Sequence, residues 1–262
     1  MRFIHLNLEN LDNSFEQKHR KIAYILTIAF LFLFFLDFVL VSVLFSWADW
    51  VATLLFALFL IMPSYISNAA MVIVGGGKPI DGGRDFIDGR RLFGDHKTWR
   101  GLIFGPLLLG IPISIAVFSI FIVLWPFINP IIETAADLGV YKLYIDPNIY
   151  RFYFIGGPIP IGILILVVRI IFCSYGAAIG DLIGSCLKRR LNIASGAPFW
   201  IVDQLDFAIL SILFAFIPGL FFPGLYYVPD FNIFIFLMIL TPAVSIIANT
   251  VAYVINVKDV PW

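Results

Sequence analysis

Charge is scarce in this chain. Asp, Glu, Lys and Arg make up 13% of its 262 residues, against roughly 25% in an ordinary soluble domain. Acidic and basic residues balance at 17 each, so no bulk positive field exists to hold nucleic acid, and no nucleic-acid partner is expected. Cysteine is nearly absent. Cys173 and Cys186 make no disulfide framework and read as small apolar side chains. The three histidines, His5, His19 and His96, are assigned no catalytic role. The Gly-x-x-x-x-Gly-Lys-Ser/Thr pattern is missing, which excludes a conventional P-loop.

What the chain does have is hydrocarbon. Hydrophobic residues are 61% of the total and mean hydropathy is +0.99, which excludes a soluble globular domain and a disordered chain. A bilayer core takes about 20 apolar residues per helix. Six stretches qualify, at 22–47, 51–74, 102–125, 154–187, 207–227 and 232–256. The expected fold is therefore an all-α, multi-pass integral membrane protein with six spans in the lipid bilayer. The connection 126–153 holds Pro126, Pro130 and Pro147 and is expected to cap the far face with a short surface helix near 131–143. Of the Lys and Arg residues, 14 fall before the first span, in 75–101, in 188–206 and after the last span. Only Lys142 and Arg151 fall on the other side, and Arg169 lies within a span. By the positive-inside rule both termini and both of those loops are cytoplasmic.

The few charges are concentrated. Residues 75–101 hold ten of them, four being Asp, and eight of the 20 glycines. Glycine lets backbone N–H groups approach an anion, Arg and Lys supply charge-assisted bonds to phosphate, and Asp can orient those cations or hold Mg²⁺. This combination suits a polyphosphate site at a membrane surface; the alternative is a solvated flexible loop. In the segment 176–206, Gly176, Gly180 and Gly184 form a small-residue stripe on which another helix can pack closely. Asp181 lies about 10 Å along a helix from Lys188, so it is below the interface if Lys188 marks it. An intramembrane carboxylate is a functional candidate by default. Asp203 and Asp206 follow at i, i+3 where the chain re-enters the membrane. Three carboxylates converging beside Lys and Arg suit a divalent metal. The alternative is a structural ion pair of Asp181 with Lys188 or Arg189.

Five segments taken together resemble the CDP-archaeol synthase family, archaeal CTP:lipid-phosphate cytidylyltransferases within the CDP-diacylglycerol synthase superfamily. They are Gly-Gly-x-Pro-Ile-Asp at 76–81, Asp-Gly-Arg-Arg at 88–91, Gly-Asp-x-Lys-Thr-Trp-Arg-Gly at 94–101, Gly-Asp-Leu-x-Gly-Ser at 180–185 with Lys-Arg-Arg at 188–190, and Gly-Ala-Pro…Asp-Gln-Leu-Asp at 196–206. The resemblance covers residues 51–256 and implies a five-span core to which 1–50 adds a cytoplasmic segment and one helix. It divides the chain into 1–50 and a membrane cytidylyltransferase domain, 51–262.

By that resemblance the protein is a nucleotidyltransferase in phospholipid biosynthesis. The substrates are CTP and an isoprenoid-ether glycerol phosphate, and the cofactor is Mg²⁺. The metal carboxylates are Asp181 and Asp203, with Asp206 a weaker third. Lys188 and Arg189 join Asp181 and Asp203 as catalytic residues. Asn68, Gly76, Gly77, Asp81, Asp88, Arg90, Arg91, Lys97, Thr98, Arg100 and Ser185 surround CTP and the lipid phosphate. A superfamily relative using phosphatidic acid, and a small membrane transporter, are the competing readings. The transporter is disfavoured because no internal repeat is visible and the polar residues gather at one face.

Overall fold

The computed structural model describes residues 2–138, 151, 156, 160–193, 197–222, 225–226, 231–256 and 261, with side chains described from residue 16 onward except for Asn232. It is helical. Among the described residues the helices with defined bounds are α1 (Arg2–Leu44), α2 (Trp47–Val74), α3 (Trp99–Gly105), α4 (Ile111–Leu138), α5 (Ile161–Arg190), α6 (Trp200–Phe221) and α7 (Phe231–Val254), with a π-helical turn, Pro106–Gly110, joining α3 to α4. Two isolated bridges, Pro79 to Thr98 and Asp85 to Arg91, are the extended pairing among the described residues. Among the described residues, six helical stretches are long and apolar enough to cross a bilayer, Glu16–Leu44, Trp47–Val74, Trp99–Leu138, Ile161–Arg190, Trp200–Phe221 and Ile233–Val254. The six expected spans are therefore all present.

Boundaries differ in two informative places. The sequence reading ends the third span at 125 and places Pro126 in the following connection, yet the helix runs through Pro126 and Pro130 to Leu138. Proline removes one donor. Breaking the helix in hydrocarbon would strand many more backbone groups, so continuing costs less. The helix expected near 131–143 is thus the end of α4 as far as 138; residues 139–143, and with them Lys142, lie outside the described residues, as do Pro147, Gly196 and Lys258. Trp99, Arg100 and Gly101 likewise belong to a helix and not to the loop. Thr98 caps α3 by accepting the Gly101 N–H at 3.1 Å, the hydroxyl satisfying one of the donors that a helix start leaves open.

The chain forms two compact units, Met1–Asp37 with Ile239–Trp262, and Phe38–Met238. In the first, Phe30 of α1 packs on Ala243 and Ile246 of α7, Thr27 and Thr250 share a hydrogen bond of 2.9 Å, and Arg20 donates to the Tyr253 hydroxyl at 3.3 Å.

In the second unit, glycines set the helix spacing. A Cβ at Gly105 would stand 2.7 Å from the Met71 Cα, and one at Gly110 would meet the Ser67 Cα at 3.1 Å, so α3 and the π-turn touch the backbone of α2. The stripe expected on α5 is the α5–α6 seam. Gly176 faces Ser211, Gly180 faces Phe207 and Gly184 faces Asp206. Contact this close supplies the dispersion energy that holds helices together where lipid is as apolar as the side chains. At the seam's buried centre Ser211 donates to the Cys173 carbonyl at 2.8 Å and pairs with Ser64 of α2. Arg169, 5% exposed, lays its guanidinium over the Phe118 ring at 5.5 Å.

Candidate active site

The loop between α2 and α3 is built around one carboxylate. Asp81 accepts hydrogen bonds from the backbone N–H groups of Gly83, Phe93 and Gly94, each at 3.1 Å, and from the Arg91 guanidinium at 2.8 and 3.2 Å. Arg91 also pairs with Asp95 at 2.8 Å. Burial pushes the Asp81 carboxyl up, but the Arg91 guanidinium and the Gly94, Phe93 and Gly83 N–H groups outweigh it and hold the group well below the usual carboxylate range. A folded-state value below the unfolded value of about 3.9 means the stabilisation is complete above that pH and fades as pH falls through the folded value. The loop therefore keeps its shape throughout the neutral range. Asp81→Asn should loosen it without melting the helices: tryptic cleavage at Arg84 or Arg90 is expected to speed up about tenfold through easier local opening, with the thermal midpoint little changed.

The same loop is bolted to the end of α5. Arg190 donates to Asp88 at 2.6 Å and to the carbonyls of Arg90 and Arg91, while Arg90 returns a bond of 2.7 Å to the Arg190 carbonyl. Phe86 lies under the Arg190 guanidinium at 5.0 Å. Asp81, Asp88, Arg90 and Arg91 are thus bonded within the protein and shape the loop. The sequence reading did not single out Arg190, because its place in a basic run at a helix end is equally explained by the helix dipole.

Docking the loop on α5 leaves a cavity of about 340 Å³. Its lining is mixed: Gly76, Gly77, Lys97, Thr98 and Asp181 are on it, together with the apolar side chains of Met71, Val72, Leu102 and Leu182. Gly76 and Gly77 have φ of +93° and +86°, a conformation that other residues avoid. Lys97 donates to Asp181 at 2.5 Å. A second, smaller cavity of about 140 Å³ adjoins it, lined by Ser185, Lys188 and Arg189 on α5 and by Phe93, Gly94, His96 and Lys97 on the loop. His96 and Lys97 line both.

Lys188 pairs with Asp203 at 3.0 Å, and Asp203 also accepts the Phe199 N–H at 2.8 Å. The sequence reading's alternative pairing of Asp181 with Lys188 or Arg189 is therefore corrected. The folded loop brings Lys97 to Asp181, and Lys188 turns to the facing helix. Asp206 lodges against Gly184 and accepts the N–H of Phe207 at 2.6 Å, within electrostatic reach of Asp181, Asp203 and Lys97.

Among the described residues, no three His, Cys, Asp or Glu side chains form a ready ligand cluster; Asp181 and Asp203 each face a lysine, which separates like charges. The donor set is all carboxylate oxygen, which suits a hard divalent cation such as Mg²⁺. Gly184 leaves space that a Cβ would fill, and the Asp206 carboxyl uses it. Asp181, Asp203 and Asp206 thus offer the oxygen chemistry such an ion takes, without being gathered into one ligand set in this structure.

Of the expected residues, Asn68, Asp81, Asp88, Arg90, Arg91, Arg100, Asp203 and Asp206 line neither cavity. Asn68 is about one turn before the Met71 and Val72 wall, and Arg100 is exposed on the first turn of α3. The apolar lining was missed, and His96, weighed from sequence as a phosphate contact against a solvated loop residue, was left out of the expected site. Met71, Val72 and Leu102 look like ordinary span residues, and His96 occupies the variable position of its motif.

A family model described as "CarS-like: CDP-archaeol synthase" matches residues 50–124 and 139–262. The chain is 36% identical over 214 residues to a CDP-archaeol synthase of Thermococcus kodakarensis, covering 81% of this chain and 99% of that one. It is 37% identical over 214 residues to one of Methanocaldococcus jannaschii, covering 80% and 98%, and 36% identical over 218 residues to one of Halobacterium salinarum, covering 82% and 99%. A solved structure described as "Structural insight into an intramembrane enzyme for archaeal membrane lipids biosynthesis" matches at 26% identity with a TM-score of 0.44, covering 77% of this chain and 93% of that one.

Proposed function

Because the chain belongs to the CDP-archaeol synthase family, and so is a membrane-embedded cytidylyltransferase of lipid synthesis, we propose that it transfers CMP from CTP to an isoprenoid-ether glycerol phosphate, with Mg²⁺ as its metal. The products are a CDP-archaeol-type lipid and pyrophosphate. The observation that carries this reading is the cavity of about 340 Å³ whose lining combines Lys97 and Asp181 with Met71, Val72, Leu102 and Leu182. A phosphate on a hydrocarbon tail needs both kinds of surface at once.

The acceptor is a phosphate monoester whose second pKa is about 6, so at neutral pH it is largely dianionic and requires no general base. One of its oxygens attacks the α-phosphorus of CTP. A new P–O bond forms, and the bond from that phosphorus to the oxygen bridging to the β-phosphate breaks. The electron pair stays on the bridging oxygen, which leaves as pyrophosphate, and no proton moves in the step. The difficulty is bringing two polyanions together in line. Lys97 supplies a positive charge at the cavity wall, and the glycine backbone at Gly76 and Gly77 leaves room for phosphate oxygens to approach. Lys188 and Arg189 add charge beside Ser185. Mg²⁺, when bound, supplies further neutralisation of the phosphate oxygens, with Asp181, Asp203 and Asp206 as its holders.

The Lys and Arg bias supports a cytoplasmic position for this end of the helices and for both termini, where CTP is available. Residues 51–262 carry the chemistry, and 1–50 is an addition to it.

The test uses purified protein in detergent with labelled CTP, Mg²⁺ and a panel of lipid phosphates. A CDP-lipid and pyrophosphate should appear, fastest with the geranylgeranyl ether phosphate. Chelation with EDTA should abolish turnover, and added Mg²⁺ should restore it. Faster turnover of phosphatidic acid would move the assignment to the diacylglycerol branch; no product from folded protein with any lipid would remove it.

A further inference from the structure

We propose that α1 is a dimerisation helix, and that two copies of the chain pair through it in parallel along a seam that starts at Ile4, before the bilayer, and continues into the span. α1 is 43 residues of unbroken helix with neither glycine nor proline in it. Its candidate span begins at Glu16. Residues 2–15 are therefore helix ahead of the span, about 20 Å of it at 1.5 Å per residue.

Ile4, Leu8, Leu11 and Phe15 recur at intervals of four, three and four. That is heptad spacing, and it places the four on one narrow stripe, the width of a coiled-coil seam and not of a face packed on a globular core. Every other residue between Ile4 and Phe15 is polar except Leu6. The same spacing continues through Ile22, Ile25, Ala29, Phe32 and Leu36, with Lys18 as its one polar interruption. Within the span nearly every residue is apolar, so the pattern adds little there. The polar background ahead of Glu16 is what makes the stripe informative.

The stripe is not the face that α7 uses. Arg20, Thr27 and Phe30 meet Tyr253, Thr250 and the pair Ala243 and Ile246, roughly 100–160° around α1 from the seam. Ile25, Ala29, Phe32 and Leu36 on the seam are exposed. Lipid can cover these four, but it cannot serve Ile4 to Phe15. An amphipathic helix meets lipid by lying flat in the interface, whereas an unbroken helix that runs on into a span stands off the membrane plane. The occupant must therefore be a helix of the same period and direction. A second α1, crossing the same bilayer the same way, is both.

Charge permits the pairing. In a parallel coiled coil the residues flanking the seam meet across the two helices, here Asn7 with Asp12 of the second copy and Ser14 with His19 of the second copy, with no two like charges. Lys18 lies beside the start of the span, where its long stem can carry the ammonium to water. A single polar seam residue costs some stability and fixes the register. The family match begins at residue 50, so α1 adds assembly to a chain whose chemistry lies elsewhere, and the pairing is independent of the cytidylyl-transfer reading.

Disulfide trapping of the full chain in its membrane tests this. Leu11→Cys, on the seam, should give a disulfide-linked dimer under mild oxidation. Asn13→Cys, on the opposite side of the helix, should give no more than the wild-type background set by Cys173 and Cys186. Leu8→Cys repeats the seam position one step earlier. In nanodiscs the wild-type particle should hold twice the 29.5 kDa chain. Leu8→Asn combined with Leu11→Asn should weaken association at least about a hundredfold, from the apolar area lost in both copies, with helix content unchanged, and Asn10→Ala should have no effect. A monomeric wild type, equal trapping at Leu11→Cys and Asn13→Cys, or a dimer indifferent to the doubly substituted seam would each overturn the pairing.

Discussion

Asp181→Asn abolishes cytidylyl transfer: turnover is expected to fall by at least about a thousand-fold, the rate equivalent of roughly 4 kcal/mol of transition-state stabilisation. The substitution keeps the size of the side chain and an oxygen that can accept from Lys97, now 2.5 Å away. What it removes is the negative charge on the lining of the larger cavity. A carboxylate there orients Lys97 and is one of the oxygens proposed to hold Mg²⁺; an amide would do the second poorly. Folding should be spared, because Asp181 is only partly buried and replaces no packing contact when it becomes Asn. The measurement is single-turnover transfer from labelled CTP, alongside detergent melting and membrane fractionation. Near-normal turnover in a folded variant would remove Asp181 from the metal assignment. Asp203→Asn tests the same assignment from the facing helix, with Lys188 as the orphaned partner.

The second large effect comes from a residue with no chemistry. Gly180→Ala places a Cβ 2.7 Å from the Phe207 Cα, also against the Asp206 carbonyl. Both obstacles are backbone of α6 and cannot rotate away, so the helices must separate. Overpacking typically costs about 1–3 kcal/mol, and rigid obstacles put this site at the upper end. The apparent melting temperature in detergent should fall by roughly 5–10 °C, and activity should fall with it, since α5 and α6 carry Asp181, Asp203 and Asp206 on either side of the seam. Gly184→Ala gives the contrast. Its new Cβ meets the Asp206 carboxyl group, which can swing aside, and the Asp206 Cβ at 2.8 Å, which cannot. The melting temperature should therefore fall, by less than in Gly180→Ala, while Asp206 leaves its place and activity drops further than the stability loss explains. Equal melting losses in the two variants would contradict this division between a seam glycine and a carboxylate-seating glycine.

These two cases show where local reading reaches its end. The stripe Gly176, Gly180, Gly184 is visible as a repeat of four, and a repeat of four means one helix face. That the face meets α6 at Phe207 and Asp206 depends on how two helices cross, which no period within one helix records. The metal candidates behave alike. Asp181, Asp203 and Asp206 stand out because charge is rare in hydrocarbon and each instance needs a reason. Their partners do not stand out. Lys97 is 84 residues from Asp181, and Arg190 is 102 residues from Asp88. Asp81 is the sharpest instance. By sequence it is one acidic residue in a loop expected to bind phosphate. Folded, it accepts three backbone N–H groups and a guanidinium, and so gives the loop its shape.

Composition and charge placement alone determined that the chain is helical, spans a membrane six times and gathers its polar chemistry at one end of the helices. These are one-dimensional consequences of solvent: hydrocarbon admits long apolar helices and tolerates charge only where it is paired or used. Only the tertiary structure decided that α3 starts at a Thr98 cap, that α4 runs through two prolines, that loop charges split between those shaping the loop and those lining cavities, and that Lys97 and His96 stand between two cavities of unequal size. Each of these depends on which backbone groups another helix leaves unsatisfied and on how closely glycine lets that helix approach, quantities that exist only once segments distant in the chain have met.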